Sequence, residues 1–571
     1  MKKVNYLLVI IGIIMITGCN NQPKEVADTI YINGKVYTVD EQNEWAEAFA
    51  VKDGKFITVG TTKEVETLKG ENTNVVDLKG QFVMPGLIEG HAHPIRGQLM
   101  ESVDISMSTV PVPTFEQFKQ TLLDYANANP DKEWLYGGVF SWDTFKDLKL
   151  NSALIDGIIK DRPVLIEDET GHIIIANSKA LEMAGITKDT KDPAGGYFGH
   201  EKDGSLNGLV YETGLQEIYK HIPNYTPKDV YEAGKKIFPR FNSLGFTGIR
   251  IAQGDELWLD ALKKLDTDGF LKMQVDCAPY VNEFYRGYSN EFLFDNMEKY
   301  NTAHLSFTSV KIIADGVPFG QTMWVKETYP DSHNHGVPTL SPEELERQII
   351  KYTSKGVRVF VHCTGDAATA KVLESLEKSS VINGVEKIRN LRNQIAHNVI
   401  VDPNDYERMI DLNVIMEFSP SFWYPQPIIK QALPELGDNF INKLWPVRQT
   451  IDAGIHVALG SDWNQTWADP FLNTETLVTR RAPGAPEDSK VQNEAGRITI
   501  KQALYAYTMG GAYALMMENE IGSISNGKDA SFVILSQNMF EVPENTIHKT
   551  YVKQTWFEGE LVYEGDEKIS F

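Results

Sequence analysis

Phe82-Val83-Met84-Pro85-Gly86-Leu87-Ile88-Glu89-Gly90-His91-Ala92-His93 is an apolar run that ends in two imidazoles. Extended backbone sends residues i and i+2 to the same side, so His91 and His93 share a face where the strand ends. Two histidines at this spacing fit a core or surface pair as well as a metal pair. Three later segments end in the same way, and they shift the balance. His362 closes Val357-Arg358-Val359-Phe360-Val361, His397 closes Gln394-Ile395-Ala396, and Asp462 follows Val457-Ala458-Leu459-Gly460-Ser461. Imidazole nitrogens with a carboxylate suit a borderline divalent ion such as zinc, and these donors outnumber what one tetrahedral ion needs.

The segments belong to a repeating order. Short apolar, β-branched runs at 82–88, 246–251, 272–278, 307–313, 356–361, 393–396, 414–418 and 455–459 alternate with longer helical stretches. Strands that are apolar on both faces and separated by helices indicate a parallel sheet. Eight such units predict an α/β protein, a (β/α)8 TIM-like barrel whose site forms at the C-terminal strand ends. A doubly wound open sheet is the competing fold. Residues 99–222 break the alternation and are too long for a loop, so they read as an insertion after barrel strand 1. Asn33-Gly34 and Asp53-Gly54 sit between short alternating runs, which are hairpin signals, and the last fifty residues look similar. Segments 29–81 and 520–571 are each marginal alone, so they are expected to form one small β-sandwich domain from both chain ends, beside a barrel at 82–519.

With 571 residues and 42% hydrophobic content, the chain has ample apolar surface for a folded protein. Its 55 basic and 78 acidic residues give a formal charge of -23, which repels phosphate backbones and excludes nucleic acid as an expected partner. Lys2 and Lys3 precede an apolar run from Tyr6 to Ile16 that is too short to span a bilayer comfortably, then Thr17-Gly18-Cys19. Ile16-Thr17-Gly18-Cys19 resembles the bacterial lipobox. Residues 1–18 are therefore expected to be a lipoprotein signal peptide, Cys19 a lipidation site, and 19–28 a tether. That makes an exported protein, held on the outer side of the bacterial cell membrane by its lipid anchor alone. Cys277 and Cys363 permit a disulfide without implying one, and the place of Cys363 beside a candidate ligand argues against it.

Val83-Met84-Pro85-Gly86-Leu87-Ile88-Glu89-Gly90-His91-Ala92-His93-Pro94, His362-Cys363-Thr364-Gly365-Asp366 and Leu459-Gly460-Ser461-Asp462-Trp463 together resemble the amidohydrolase superfamily. They are most similar to amidohydrolase family 3, which includes N-substituted formamide deformylases and YtcJ-like proteins, and the similarity runs from about Thr29 to the C-terminus. The resemblance implies a TIM-like barrel with a β-sandwich, and metal held by His91, His93, His362, His397 and Asp462. It also implies a strand-four lysine, here Lys311 in Ser309-Val310-Lys311-Ile312-Ile313, that is carboxylated in many members and bridges two ions. A lysine inside an apolar strand is costly unless paired or modified, so a salt-bridged Lys311 is the alternative. Gly171-His172 resembles the branch's histidine that reaches the active site from the insertion, to bind the substrate carbonyl or stabilise the anionic intermediate. Glu212 in Gly208-Leu209-Val210-Tyr211-Glu212 is then expected to orient a ligand or His172, Arg480 to meet an anionic substrate group, and Asp315 and Asp366 to fix imidazole tautomers. Two departures, Ala396 where a glutamate is common and Ser419-Pro420 where Gln-Pro is common, fall on the residues around the ligands.

The function implied is metal-dependent hydrolysis of a carbon–nitrogen bond other than a peptide bond, in a small N-acyl or N-formyl amide. One or two divalent ions, zinc by donor chemistry, would lower the pKa of water towards ~7, and Asp462 would take its proton and pass it to the departing amine. Ester or lactone hydrolysis on the same scaffold is the second reading, and a non-catalytic solute-binding lipoprotein the third. The partners expected are a small-molecule amide and a second copy of the chain in a homo-oligomer.

Overall fold

In a computed structural model the structure describes residues 26–107, 112–168, 170–281, 289–330, 332–423, 440 and 443–569. The signal segment and Cys19 lie outside the described residues.

Eight parallel strand positions follow one another in the order expected: β1 Leu87–Ala92, β2 Phe246–Ile251, β3 Gln274–Cys277, β4 Ser309–Ile313, β5 Arg358–Cys363, β6 Gln394–His397, β7 Ile415–Phe418 and β8 Val457–Leu459. They form two arcs, β1 to β3 and β4 to β8. The fourth position comes in two pieces. Leu305–Ser306 pairs with β3, the chain breaks step at Phe307-Thr308, and β4 then pairs with β5. Isolated parallel bridges join Tyr280 to Lys311 and Ala92 to Trp463, at the two seams between the arcs. The strands are almost wholly buried, as β-branched and aromatic residues on both faces require. The intervening helices carry clear punctuation. Thr226 and Asp229 form a reciprocal cap before Pro227–Ser243, and Pro342–Lys355 ends at Gly356 in the left-handed region at φ 82°.

The run from 82 to 88, read above as one strand, is two. Phe82–Pro85 pairs antiparallel with Phe532–Leu535, and the chain turns at Gly86 before β1 begins. A Cβ on Gly86 would lie 2.1 Å from Thr247 Oγ1, so only glycine allows β2 to pack there. Both chain ends thereby meet in a six-stranded sheet that contains Lys35–Tyr37, Phe82–Pro85, Phe532–Leu535 and Val552–Phe557. A four-stranded sheet from residues 29–77 packs against it through Tyr31, Phe49, Phe56, Phe532 and Trp556, with Tyr31 and Phe49 stacked at 4.6 Å.

Residues within the inserted region build a five-stranded sheet of their own. Its strands are Leu135–Phe140, Val164–Asp168, Ile173–Ala176, Gly196–His200 and Leu206–Glu212, and its two faces bury separate apolar clusters. Cys277 and Cys363 are both buried free thiols. No helix among the described residues is long and apolar enough to cross a membrane.

Candidate metal centre

The C-terminal ends of the strands deliver the polar groups to one rim. His91 lies in β1, His93 one residue beyond it, Lys311 in β4, His362 in β5, His397 at the last position of β6, and Asp462 just after β8; all six are buried. Asp462 Oδ1 stands 3.0 Å from His93 Nε2 and 3.5 Å from His91 Nε2, and the ligand atoms of these three residues lie within 4.8 Å of one another. His397 and His91 are 4.6 Å apart between ring centres, and His397 and His362 are 4.4 Å apart. Lys311 Nζ lies 3.2 Å from His91 Nε2. His397 and Asp462 adopt positive φ, 74° and 56°, a backbone region that costs an L residue about 1–3 kcal/mol and is tolerated where a side chain must be aimed.

Burial sets the protonation states. It holds His91, His362 and His397 well below the usual imidazole range and lowers His93, so these rings are neutral, the form that can ligate. Burial lowers the Lys311 amine to about 8. For Asp462 burial acts in the opposite sense, but the imidazoles of His91 and His93 and the Lys311 amine outweigh it and keep the carboxyl below its ordinary value. The donor set therefore fits a divalent ion. Neutral imidazoles and an ionised carboxylate converge, and the buried atoms His93 Nδ1 and Asp462 Oδ1 find no aligned hydrogen bond among the described residues.

One ligand candidate escaped the sequence reading. Glu417, in the middle of β7 between Met416 and Phe418, puts Oε2 3.1 Å from His91 Nδ1, and with His91 and His397 it forms a second group of converging donors. Its carboxyl is pushed up to about 8 by burial, with Asp462 adding to the rise. A signal was there to read, an ionisable residue inside an apolar strand, the same feature that makes Lys311 costly unless paired or modified. Glu89 in β1 was passed over as well; it accepts the main-chain N–H groups of His91 and Ser461 and so ties the first strand to the segment that carries Asp462.

The insertion supplies His172. Its Nδ1 lies 2.7 Å from Glu212 Oε2, and its ring is 5.2 Å from that of His362, so Glu212 orients His172 at the edge of the rim. Burial disfavours the imidazolium, but Glu212 more than compensates and the pKa of His172 is raised. His362 Nε2 donates to the Gly316 carbonyl, which fixes its tautomer. Asp315 accepts from the main chain of Thr364, Gly365 and Trp324 and so braces the loop after β5, with Oδ1 3.9 Å from His362 Nε2, while Asp366 accepts from the main-chain N–H of Lys326.

Arg480 corrects the expectation that it meets substrate. Its guanidinium is buried, donates to the carbonyls of Gln492, Trp445 and Leu444, and lies 4.2 Å over the Trp423 ring. It fastens the segment at 444–445 to that at 492, because carbonyls from two buried stretches are reached by one wide fork of donors.

Parallel strands that present neutral imidazoles and a carboxylate at their C-terminal ends define a metal-dependent hydrolase acting on carbon–nitrogen bonds. The model of the amidohydrolase family Amidohydro_3 matches residues 74–563, and the chain belongs to that family. It is 28% identical over 544 residues to YtcJ of Bacillus subtilis (94% of this chain, 99% of that protein). It is 25% identical over 557 residues to an N-substituted formamide deformylase of Arthrobacter pascens (95% and 99%). Among solved structures, an uncharacterized metal-dependent hydrolase of Pyrococcus horikoshii superposes with a TM-score of 0.69 at 22% identity (90% and 99%). The zinc complex of the atrazine chlorohydrolase TrzN of Arthrobacter aurescens does so with 0.53 at 13% (95% and 96%).

Proposed function

We propose that the protein hydrolyses the carbon–nitrogen bond of a small N-acyl or N-formyl amide, with Asp462 as general base and then general acid. On this reading the two arcs close into one eight-stranded barrel, the terminal sheets form a sandwich beside it, and a zinc-class ion is held by His91, His93, His362, His397 and Asp462. Lys311, held near neutrality by burial, is the residue for carboxylation and a second ion. A bound ion supplies a Lewis acid for the carbonyl and acidifies water towards a pKa of ~7. Asp462 Oδ1, already ionised, accepts the proton of the attacking water and returns it to the leaving nitrogen, since an unprotonated amine leaves poorly. His172, carrying a proton supported by Glu212, donates a hydrogen bond to the oxygen that gains charge. The closed, buried rim excludes bulk water and strengthens both interactions.

The observation that carries this reading is the contact of one Asp462 oxygen with two histidine nitrogens at 3.0 and 3.5 Å. The test is Asp462→Asn assayed on a panel of N-formyl and N-acetyl amines. Turnover falls by at least about 10²-fold while substrate binding stays measurable. Unreduced hydrolysis in that variant overturns the assignment of the base. We also propose that the chain is exported and held at the membrane through Cys19, that it works as a homo-oligomer, and that it binds no nucleic acid. Cys19→Ser then moves it from the membrane fraction to the soluble one, and the mass measured in solution by light scattering reports the assembly.

A further inference from the structure

Arg358, Phe360 and His362 alternate along β5, so their side chains share the face that carries His362 to the rim. Arg358 opens the strand and therefore lies below the metal centre, where it is 3% exposed. Strand register brings other polar residues alongside. Arg358 pairs with Ser309 of β4, Phe360 with Gln394 of β6, and Arg250 of β2 with Asp276 of β3. Side chains join these positions. Arg250 Nη1 donates to Gln394 Oε1 at 2.6 Å, Arg250 Nη2 lies 2.7 Å from Asp276 Oδ2, and Ser309 Oγ donates to the same oxygen at 3.4 Å. The Phe360 ring, 5.1 Å from the Arg250 guanidinium, stands on the metal side of this group. The helix Gly511–Leu515 approaches it as well, its Ala514 carbonyl accepting from Arg250 Nη2.

Charge in this group does not balance. Asp276 is already engaged by Arg250 and by the hydroxyls of Thr308 and Ser309. Arg392 lends its carbonyl to Arg358 Nη2 at 2.9 Å, but its own guanidinium is held by Glu518 at 2.6 and 2.8 Å, so Glu518 is no counter-charge for Arg358. Arg358 Nε and Nη1, Arg250 Nε and Gln394 Nε2 are all buried and find no hydrogen-bond partner among the described residues. Burial, with the like charge of Arg250 next, pulls Arg358 down to about 9, which still leaves it cationic at neutral pH. Water would satisfy such N–H groups without cancelling the buried charge, whereas an anion does both. Enclosure by Phe360 and the helix favours a compact ion over an acid that carries a chain.

We infer that Arg358, Arg250 and Gln394 hold a halide-sized monovalent anion beneath the metal centre. The ion neutralises the surplus guanidinium and ties β5 to β2 and β6, so it steadies the strands that carry His362 and His397. It stands independently of any reaction at the rim. Crystals of the full chain grown in sodium bromide and measured at the bromine edge show an anomalous peak within hydrogen-bonding reach of Arg358 Nη1 and Gln394 Nε2. Density for water alone at that place overturns the inference. In solution, chloride replaces gluconate, which is too large for the site, at fixed ionic strength. The urea midpoint rises by about 0.5 M for each tenfold increase in chloride above its Kd. Gln394→Glu supplies a carboxylate of the same shape and keeps the acceptor for Arg250, so it abolishes both the bromide peak and the chloride dependence while the protein stays folded. Arg358→Met, which removes the surplus charge, flattens the dependence too. A midpoint indifferent to chloride in the unaltered protein, or a chloride dependence that survives Gln394→Glu, contradicts the assignment.

Discussion

Replacing Arg480 by methionine separates a structural arginine from a substrate-binding one. The side chain donates to three buried carbonyls at 3.0, 3.3 and 3.1 Å and covers the Trp423 ring. Methionine fills a similar volume but removes three hydrogen bonds at about 0.5–1.5 kcal/mol each, although the Trp445 carbonyl keeps the Val447 N–H and the Leu444 carbonyl keeps the Asn493 amide, and it removes a cation–π contact worth about 1 kcal/mol. Relief from burying a guanidinium offsets part of this, so the net loss is about 3 kcal/mol. With a denaturant slope of roughly 3 kcal/mol/M, the urea midpoint falls by about 1 M. Arg480→Lys recovers only part, because an ammonium cannot serve three diverging carbonyls. The paired assay is KM on the best amide substrate at a temperature where both forms are folded, and KM changes less than about threefold. A large rise in KM with an unmoved urea midpoint would restore Arg480 to the substrate and refute the structural account.

Glu417→Gln weakens zinc affinity by about 10–100-fold in chelator competition, and an unchanged affinity removes Glu417 from the metal centre. His304 lies 2.7 Å from Asp266 and 3.4 Å from Glu558, and these partners, Glu558 foremost, raise its pKa to about 9. The stabilisation from a raised imidazole is complete below the unfolded value near 6.5 and disappears as pH climbs through 9. With solvent screening it amounts to about 1 kcal/mol. The gap in urea midpoint between the parent and His304→Gln therefore closes between pH 6.5 and 9.5, and a gap constant with pH contradicts the assignment. Stripping the ion with a chelator lowers the melting temperature, and zinc at about 100 times its Kd restores about 2.7 kcal/mol. A melting curve indifferent to zinc would mean the donors hold none.

The candidate ligands near strand ends were legible in the sequence because two rules coincide on them. Val357 to Val361 and Val457 to Leu459 are too apolar to be anything but buried strands, and a polar side chain directly after such a run must emerge at the sheet edge. Glu417 was hidden because it sits inside its strand, where apolar neighbours dominate the pattern. The break at Gly86 was hidden too, since Pro85-Gly86 within a continuous apolar run shows its meaning only when Thr247 packs against it. The insertion's sheet contains Leu135–Phe140, whose Gly137-Gly138 reads as a loop, and its pairing with Val164–Asp168 is parallel and distant in sequence. Arg480 was misjudged for the same reason. Its partners Leu444 and Trp445 are more than thirty residues away, and local sequence says nothing about them.

Phe82–Pro85 pairs on one side with Lys35–Tyr37, but its neighbour on the other side is Phe532–Leu535, some 450 residues later. A chain synthesised from its N-terminus keeps that second edge open until almost the last residue has been added, so completion of the six-stranded sheet is coupled to completion of the polypeptide. Loss of even the final fifty residues would unzip the seam at the very segment that leads into His91 and His93, and a shortened copy would forfeit its chemistry together with its shape.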